Sequence, residues 1–430
     1  AYGKKALHNY RNSAGLSALI MFIGLAPLLI ARHPAMQSLA QVALVGMFTV
    51  VLMAFYLPPL VFRWLTTKKG VVREYPLTLK RILYSLYSFA AFLVGLLCCT
   101  PLIYLYKIVV KEQARVSYFI HCILWRFARF VIKHVPGTRF SVVNTVGEDF
   151  KRPALIICNH QSQLDLMAVL SLYPKITILT KEWVWQNPFY GRIIRASEFY
   201  PVTNGVNQYV EGMRSMVQRG YSIVVFPEGT RSAGGILRFH KGAFMLAQEL
   251  GLDILPLHLH GFNDVLPRHD FMLREGSMTM EVGERMPAAQ AASMECMALR
   301  KHFHKLYVSH FADMCRRYGN AAYFVPQVKY KYMYKGPRVE RRAWRTLRDL
   351  KAISRIVDLD CGSVESYTFE GAECGQGEVP LIFAKVHPNV EVYAYFDNED
   401  DYLVASNLQG NPNNLHLCMA EPQPAWMLQG

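Results

Sequence analysis

Three runs without a charged side chain, Ala14–Ala31, Ser38–Phe62 and Ile82–Tyr106, fill most of the chain before Tyr106. An uncharged run of this length satisfies its backbone away from water only as a helix, and each is long enough to cross a hydrocarbon layer of about 30 Å. Hydrophobic residues make up 52% of the 430 residues, and their excess lies in this part. It therefore signals membrane contact rather than a larger core. The net charge is +15, with Lys4, Lys5 and Arg11 before the first run. Arg63, Lys68, Lys69, Arg73, Lys80 and Arg81 follow the second run, and only Arg32 lies between the two. That bias places both outer ends of the pair in the cytoplasm. It also favours a membrane surface over nucleic acid as the anionic partner. Lys107, Lys111 and Arg115 follow the third run, so the same rule opposes a third crossing. With the aromatic and basic stretch Val116–His134, the third run reads as a re-entrant or interfacial helical hairpin.

After Val135 the pattern changes to short apolar strands alternating with amphipathic helices. The strands are expected at Phe140–Val143, Ala154–Cys158, Ile176–Leu179, Ser222–Phe226, Asp253–His258 and Ser277–Val282. The helices are expected at Leu164–Ser171, Val206–Gln218, Lys241–Leu250 and Ala289–Tyr318. This alternation predicts an α/β sheet with helices on its faces.

Two stretches at strand ends carry chemistry. In NHQSQLD, Asn159–Asp165, the strand Ala154–Cys158 delivers Asn159 and His160 where open α/β sheets place ligands. A turn entering a helix folds the Asp165 carboxylate back onto the imidazole. This fixes the tautomer and leaves the other ring nitrogen to take a proton from a bound hydroxyl or amine. In FPEGTR, Phe226–Arg231, Pro227 and Gly229 mark a tight turn, and Arg231 offers a fork of donors suited to phosphate or carboxylate. Glu228 either binds substrate or orients Arg231 or a backbone amide, and the orienting role is favoured. Arg238, His240 and Lys241 make a basic cluster at a helix start, a merely solvated face or an anion site. His258 and His260 alternate on a strand, lack the third ligand of a zinc site, and read as structural. The nine cysteines form no CxxC pair and read as reduced thiols.

NHQSQLD and FPEGTR resemble the first and third motifs of the lysophospholipid (1-acylglycerol-3-phosphate type) acyltransferases. TKEWVWQNPFYGR, Thr180–Arg192, resembles the lysine-bearing segment before the second motif, and ILPLHLHG, Ile254–Gly261, resembles the fourth. The resemblance covers roughly Val135–Met314. It implies a glycerolphosphate-acyltransferase-like sheet with flanking helices. It also implies an acyl thioester donor, carried by coenzyme A or acyl-carrier protein, with no bound cofactor and no metal. His160 and Asp165 would be catalytic. Asn159, Lys181, Glu228, Gly229, Thr230 and Arg231 would bind substrate. One departure stands out. The arginine expected in the second motif falls at Pro201 or Val202 in EFYPVTNG. A phosphate clamp is incomplete there, which opens the acceptor to an aminolipid or another single-chain lipid.

Two further resemblances frame this region. Ala1 to about Thr67, with ARHPAMQSLAQVALVGM, is similar to the last transmembrane pair of RND-type lipid exporters. ECGQGE, Glu373–Glu378, follows a strand candidate, and the strand Val390–Phe396 ends near Asp397. This glycine turn with a distant acid resembles the start of S-adenosylmethionine-dependent methyltransferases, with Val379 where a third glycine belongs. The start AYGKKAL, without Met or a signal-peptide pattern, and the abrupt end MLQG suggest a piece of a longer protein.

The expected organisation is two transmembrane helices in residues 1–67 and membrane-associated helices in 68–135. The acyltransferase region follows in 136–325, then a basic surface linker in 326–340 and a partial Rossmann-like segment in 341–430. The expected function is acyl transfer to a lysophospholipid in phospholipid biosynthesis, by an enzyme held to the membrane with its catalytic region facing the cytoplasm. Its partners would be membrane lipids and the thioester donor. Two rival readings are a non-catalytic module left from an exporter, and a methyltransferase with an inert acyltransferase-like region. The intact His160, Asp165 and Arg231 argue against the first, and the incomplete glycine loop against the second.

Overall fold

The computed structural model describes residues 2–180, 182–187, 191–201, 209–268 and 270–420. The chain divides into two units: residues 1–78 with 319–430, and residues 79–318.

The first unit begins with helix α1, Tyr2–Leu25, and helix α2, Pro34–Thr66. His8–Ile30 and Pro34–Thr66 are long and apolar enough to cross a membrane. α2 runs on through Pro58 and Pro59. At its C-terminus the Thr66 hydroxyl donates to Phe62 O at 2.7 Å, and that of Thr67 to Arg63 O at 2.6 Å.

The second unit opens with α3, Leu79–Val109, and α4, Gln113–Lys133. α3 is one unbroken helix, not the broken element a re-entrant segment requires. At about 1.5 Å per residue it is roughly 46 Å long, and by length and composition it is a third candidate span. It packs against α4 as a hairpin. Tyr106 stacks on Phe119 with ring centroids 3.9 Å apart, and Phe92 meets Phe127 at 5.5 Å. Gly95 makes the close approach possible, since a Cβ there would clash with the Phe127 ring. α3 is also tied to the unit near both ends. Buried Arg81 donates to Leu273 O at 3.0 Å and Met272 O at 3.2 Å, and Ile103 packs with Val116, Ile120 and Ile193. α4 enters the main core through Ala128 and Ile132.

The core surrounds a six-stranded sheet of β1 (Thr138–Val143), β2 (Ala154–Cys158), β3 (Ile176–Ile178), β4 (Ser222–Val225), β5 (Asp253–His260) and β6 (Gly276–Val282). The spatial order is β1-β6-β5-β2-β4-β3. Every neighbouring pair is parallel except β5 with β6. β2 is buried along its whole length, which explains its uninterrupted apolar run. Ala154, Ile156 and Cys158 point into one core, and Leu155 and Ile157 into the core on the opposite face. The flanking helices are α5 (Leu164–Leu170), α6 (Val210–Gln218), α7 (Gly242–Leu250) and α8 (Cys296–Tyr318). The single helix expected over Ala289–Tyr318 is two pieces, Ala288–Ala292 and α8. The Gln248 side chain donates to the carbonyls of Ala291 and Met294 at this break.

The rest of the first unit is α9 (Ala321–Lys331), α10 (Pro337–Arg348), α11 (Leu350–Val357), β7 (Ser366–Glu370), α12 (Glu378–Val386), β8 (Glu391–Phe396), α13 (Glu399–Ser406) and β9 (Leu415–Met419). The three strands are parallel in the order β9-β8-β7. The basic stretch expected as a surface linker is folded instead. Tyr330, Lys331 and Tyr332 are buried, and the Lys331 ammonium bonds Glu74 at 2.9 Å and the Gly410 carbonyl at 3.0 Å. An ammonium can be enclosed this way only when its donors are met.

Candidate active site

β2 ends at Cys158, and the chain turns at once into α5. Asn159 fixes this turn to β5, its amide donating to Leu259 O at 3.0 Å and its carbonyl accepting from Leu259 N at 2.7 Å. The buried side chain is thus engaged by the sheet rather than presented to an acceptor. Gln161 and Ser162 tie the same turn to the segment after β5. The Gln161 carbonyl accepts from Phe262 N at 3.2 Å, and the Ser162 hydroxyl donates to Leu266 O at 2.8 Å. The sequence singled out neither residue; both lie inside NHQSQLD.

On this frame His160 Nδ1 lies 2.8 Å from Asp165 Oδ2. The same oxygen accepts the backbone N–H groups of Gln161 at 2.6 Å and Ser162 at 2.8 Å. Asp165 is fully buried, while the His160 side chain keeps 19% of its exposure. The carboxylate is enclosed and the imidazole opens outward, as expected if Asp165 orients the ring and Nε2 meets the substrate. Burial raises the Asp165 pKa, opposed by the His160 ring and the two amides. The Phe226 ring lies 4.3 Å from the imidazole and covers one face.

The second motif-bearing turn follows β4. Gly229 N donates to Phe226 O at 3.0 Å, closing a turn through Pro227 and Glu228. Gly229 has φ +66°, and a Cβ there would sit 3.2 Å from the His240 ring. Glu228 takes the orienting role. Oε1 accepts from His160 N at 2.9 Å and Oε2 from Leu237 N at 2.9 Å, so one buried carboxyl joins the two motif-bearing turns. Burial pushes its pKa up to about 7. Ser232 N donates to His160 O at 2.7 Å, which brings Arg231 beside the His160–Asp165 turn. The Asp165 charge acts on the Arg231 guanidinium, whose pKa is lowered by burial and by neighbouring Arg268. Thr230 is half-buried next to Gly229.

The remaining candidates divide. Lys181 and Val202 lie outside the described residues. Arg238, His240 and Lys241 are exposed. His258 is buried against Tyr307 and His310, and burial lowers its pKa to about 3, so it is a neutral core ring. His260 is buried too. The geometry brings together His160, Asp165, Glu228 and Arg231. It can take a proton at His160 Nε2 and hold an anion at Arg231.

A family model described as Acyltransferase matches residues 138–260. A 1-acyl-sn-glycerol-3-phosphate acyltransferase of Cocos nucifera is 26% identical over 207 residues, covering 44% of this chain and 67% of its own. The human 1-acyl-sn-glycerol-3-phosphate acyltransferase beta is 26% identical over 181 residues, covering 40% and 65%. Among solved structures, the 1-acyl-sn-glycerophosphate acyltransferase PlsC from Thermotoga maritima aligns with a TM-score of 0.47 and 20% identity, over 55% of this chain and 97% of that one. The chain spans between 34% and 67% of the length of these and other curated relatives it matches. Over the region that holds His160, Asp165, Glu228 and Arg231, the chain is similar to acyltransferases of the 1-acylglycerol-3-phosphate type.

Proposed function

We propose that this protein is a membrane-bound acyltransferase that moves a fatty acyl group from a thioester donor to a lysophospholipid or related single-chain lipid. The observation that carries the reading is the His160–Asp165 pair at 2.8 Å, beside Arg231. His160 Nε2 takes the proton of the acceptor hydroxyl as that oxygen attacks the thioester carbonyl. The tetrahedral intermediate then collapses with loss of the thiolate, which receives the proton from the imidazolium. Asp165 stabilises the imidazolium. Glu228 holds the two motif-bearing turns in register, and Arg231 takes the headgroup. Gly229 and Thr230 shape the acceptor side of the turn, and the motif resemblance assigns Lys181 to the substrate. The donor is acyl-coenzyme A or acyl-carrier protein, with no bound cofactor.

The same reading places the catalytic region on the cytoplasmic side with α3 lying in the interface. The attachment of α3 through Arg81 and Ile103, with Leu86, Leu93, Leu97 and Leu105 exposed along it, supports this over a full crossing. We read residues 1–67 as exporter-like helices and 341–430 as a methyltransferase-like segment, neither taking part in the acyl transfer. Incubating the full chain in vesicles with labelled acyl thioester and a panel of single-chain acceptors tests the proposal. Acylated lipid is expected, and its absence with every acceptor would refute it. Methylation of an acceptor by S-adenosylmethionine without acyl transfer would favour the methyltransferase reading instead.

A further inference from the structure

A second arginine, Arg268, reaches the main chain of Arg231 beside the catalytic turn, and the sequence pointed only to Arg231. Arg268 Nη1 donates to the main-chain carbonyl of Arg231 at 3.2 Å. Burial and the like charge of Arg268 lower the Arg231 pKa. Among the described residues neither guanidinium forms an ion pair. Nearby like charges repel, the Asp165 charge opposes the fall of the Arg231 pKa without cancelling it, and an anion held by both arginines removes that cost.

The arrangement is built rather than incidental. Arg268 lies two residues after Leu266, whose carbonyl is held by the Ser162 hydroxyl, and six after Phe262, whose N–H is held by Gln161. Asn263 adds a third tie, its amide donating to Ala233 O at 2.9 Å on the Arg231 side. The catalytic turn therefore positions both its own His160 and the segment that carries Arg268.

We propose that Arg268 is a specificity-determining residue that pairs with Arg231 to hold the phosphomonoester headgroup of the acceptor. This rests on the acyl-transfer reading above. A phosphomonoester near neutral pH carries between one and a half and two charges on three acceptor oxygens (about −1.5 to −2). A single guanidinium fork engages two of those oxygens, and a second cation is required for the remaining charge. Arg268 supplies it from a different part of the chain than Pro201–Val202, where the motif resemblance leads one to seek it. A singly charged phosphodiester or a carboxylate leaves Arg268 without a matching charge. The pair thus selects for the doubly charged headgroup.

The test compares wild-type full chain in vesicles with Arg268→Gln and Arg268→Lys. The acceptors are lysophosphatidate and lysophosphatidylglycerol, with the thioester held saturating. Losing one charge-assisted contact raises KM for lysophosphatidate by about 10- to 100-fold in Arg268→Gln. The rise for lysophosphatidylglycerol is much smaller, and KM for the thioester stays as in wild type. Arg268→Lys recovers part of the loss. In wild type, KM for lysophosphatidate also climbs as pH falls below about 6, where the phosphate loses its second charge; in Arg268→Gln that climb flattens. A merely structural role would raise both acceptors' KM equally and leave the pH dependence in place, and that result overturns the proposal. So does an unchanged KM for lysophosphatidate in Arg268→Gln, while leaving the acyl-transfer reading intact. A wild-type chain that acylates neither lipid overturns both.

Discussion

Asp165→Asn separates the charge of Asp165 from its geometry. Asp165 Oδ2 accepts three hydrogen bonds, from His160 Nδ1, Gln161 N and Ser162 N, whereas Oδ1 has no partner among the described residues. An asparagine placing its carbonyl oxygen at the Oδ2 position and its amide at the Oδ1 position keeps all three bonds. The turn and the ring orientation survive, and stability should move by no more than about 1–2 kcal/mol. What disappears is the negative charge that balances the imidazolium formed during transfer. With charge centres about 4 Å apart and an effective dielectric of about 20, that attraction is worth about 4 kcal/mol. It converts to a loss of about 10³-fold in kcat. The assay is turnover at saturating thioester and acceptor, alongside thermal unfolding of the same preparation. Turnover within about threefold of wild type, with folding intact, would show that Asp165 serves only to shape the turn.

Other consequences follow from the same geometry. Burial raises the Glu228 pKa to about 7 from an ordinary 4.5, so the folded state holds an extra proton between those values. Stability from this group is fully present below pH 4.5 and falls as pH rises through 7, by about 3 kcal/mol in all. Glu228→Gln should remove that slope in thermal unfolding at a series of pH values, and an unchanged slope would exclude Glu228 as its source. Arg231→Lys should raise acceptor KM by about tenfold or more although charge is kept, because a lysine cannot form the two-pronged contact; unchanged acceptor kinetics would remove Arg231 from the headgroup site. Replacing exposed Leu93 and Leu97 of α3 with Asn should slow acylation of vesicle-embedded acceptors while sparing detergent-dispersed ones. Equal slowing in both would point to misfolding instead of membrane docking.

Much of the sheet was legible because β2 and β4 are buried strands with parallel neighbours on both sides, which appear as short apolar runs. The pairing of His160 with Asp165 was legible too, since both lie within one turn. What the sequence hid are contacts between residues far apart in the chain. Asn159 reads as a substrate ligand until Leu259, a hundred positions on, takes both ends of its amide. Arg268 carries no local pattern and gains meaning only through the Ser162–Leu266 and Gln161–Phe262 ties. Lys331 looked like part of a solvated basic linker because composition cannot show that Glu74 and the Gly410 carbonyl wait for its ammonium. The α3–α4 hairpin likewise depends on Gly95 meeting Phe127, a fit between two helices that hydropathy does not record. Truncation before Val135 would remove Ala128 and Ile132 from the main core, so α4 is part of the fold as well as of the membrane-facing region.

The most direct test of the general-base claim is the turnover of His160→Ala beside wild type, in the same vesicles, with the same labelled thioester and lysophosphatidate. A positioned base contributes about 10²–10⁴-fold. The account predicts a loss in that range with thermal unfolding and acceptor binding little changed. Turnover equal to wild type in a folded His160→Ala chain would contradict it.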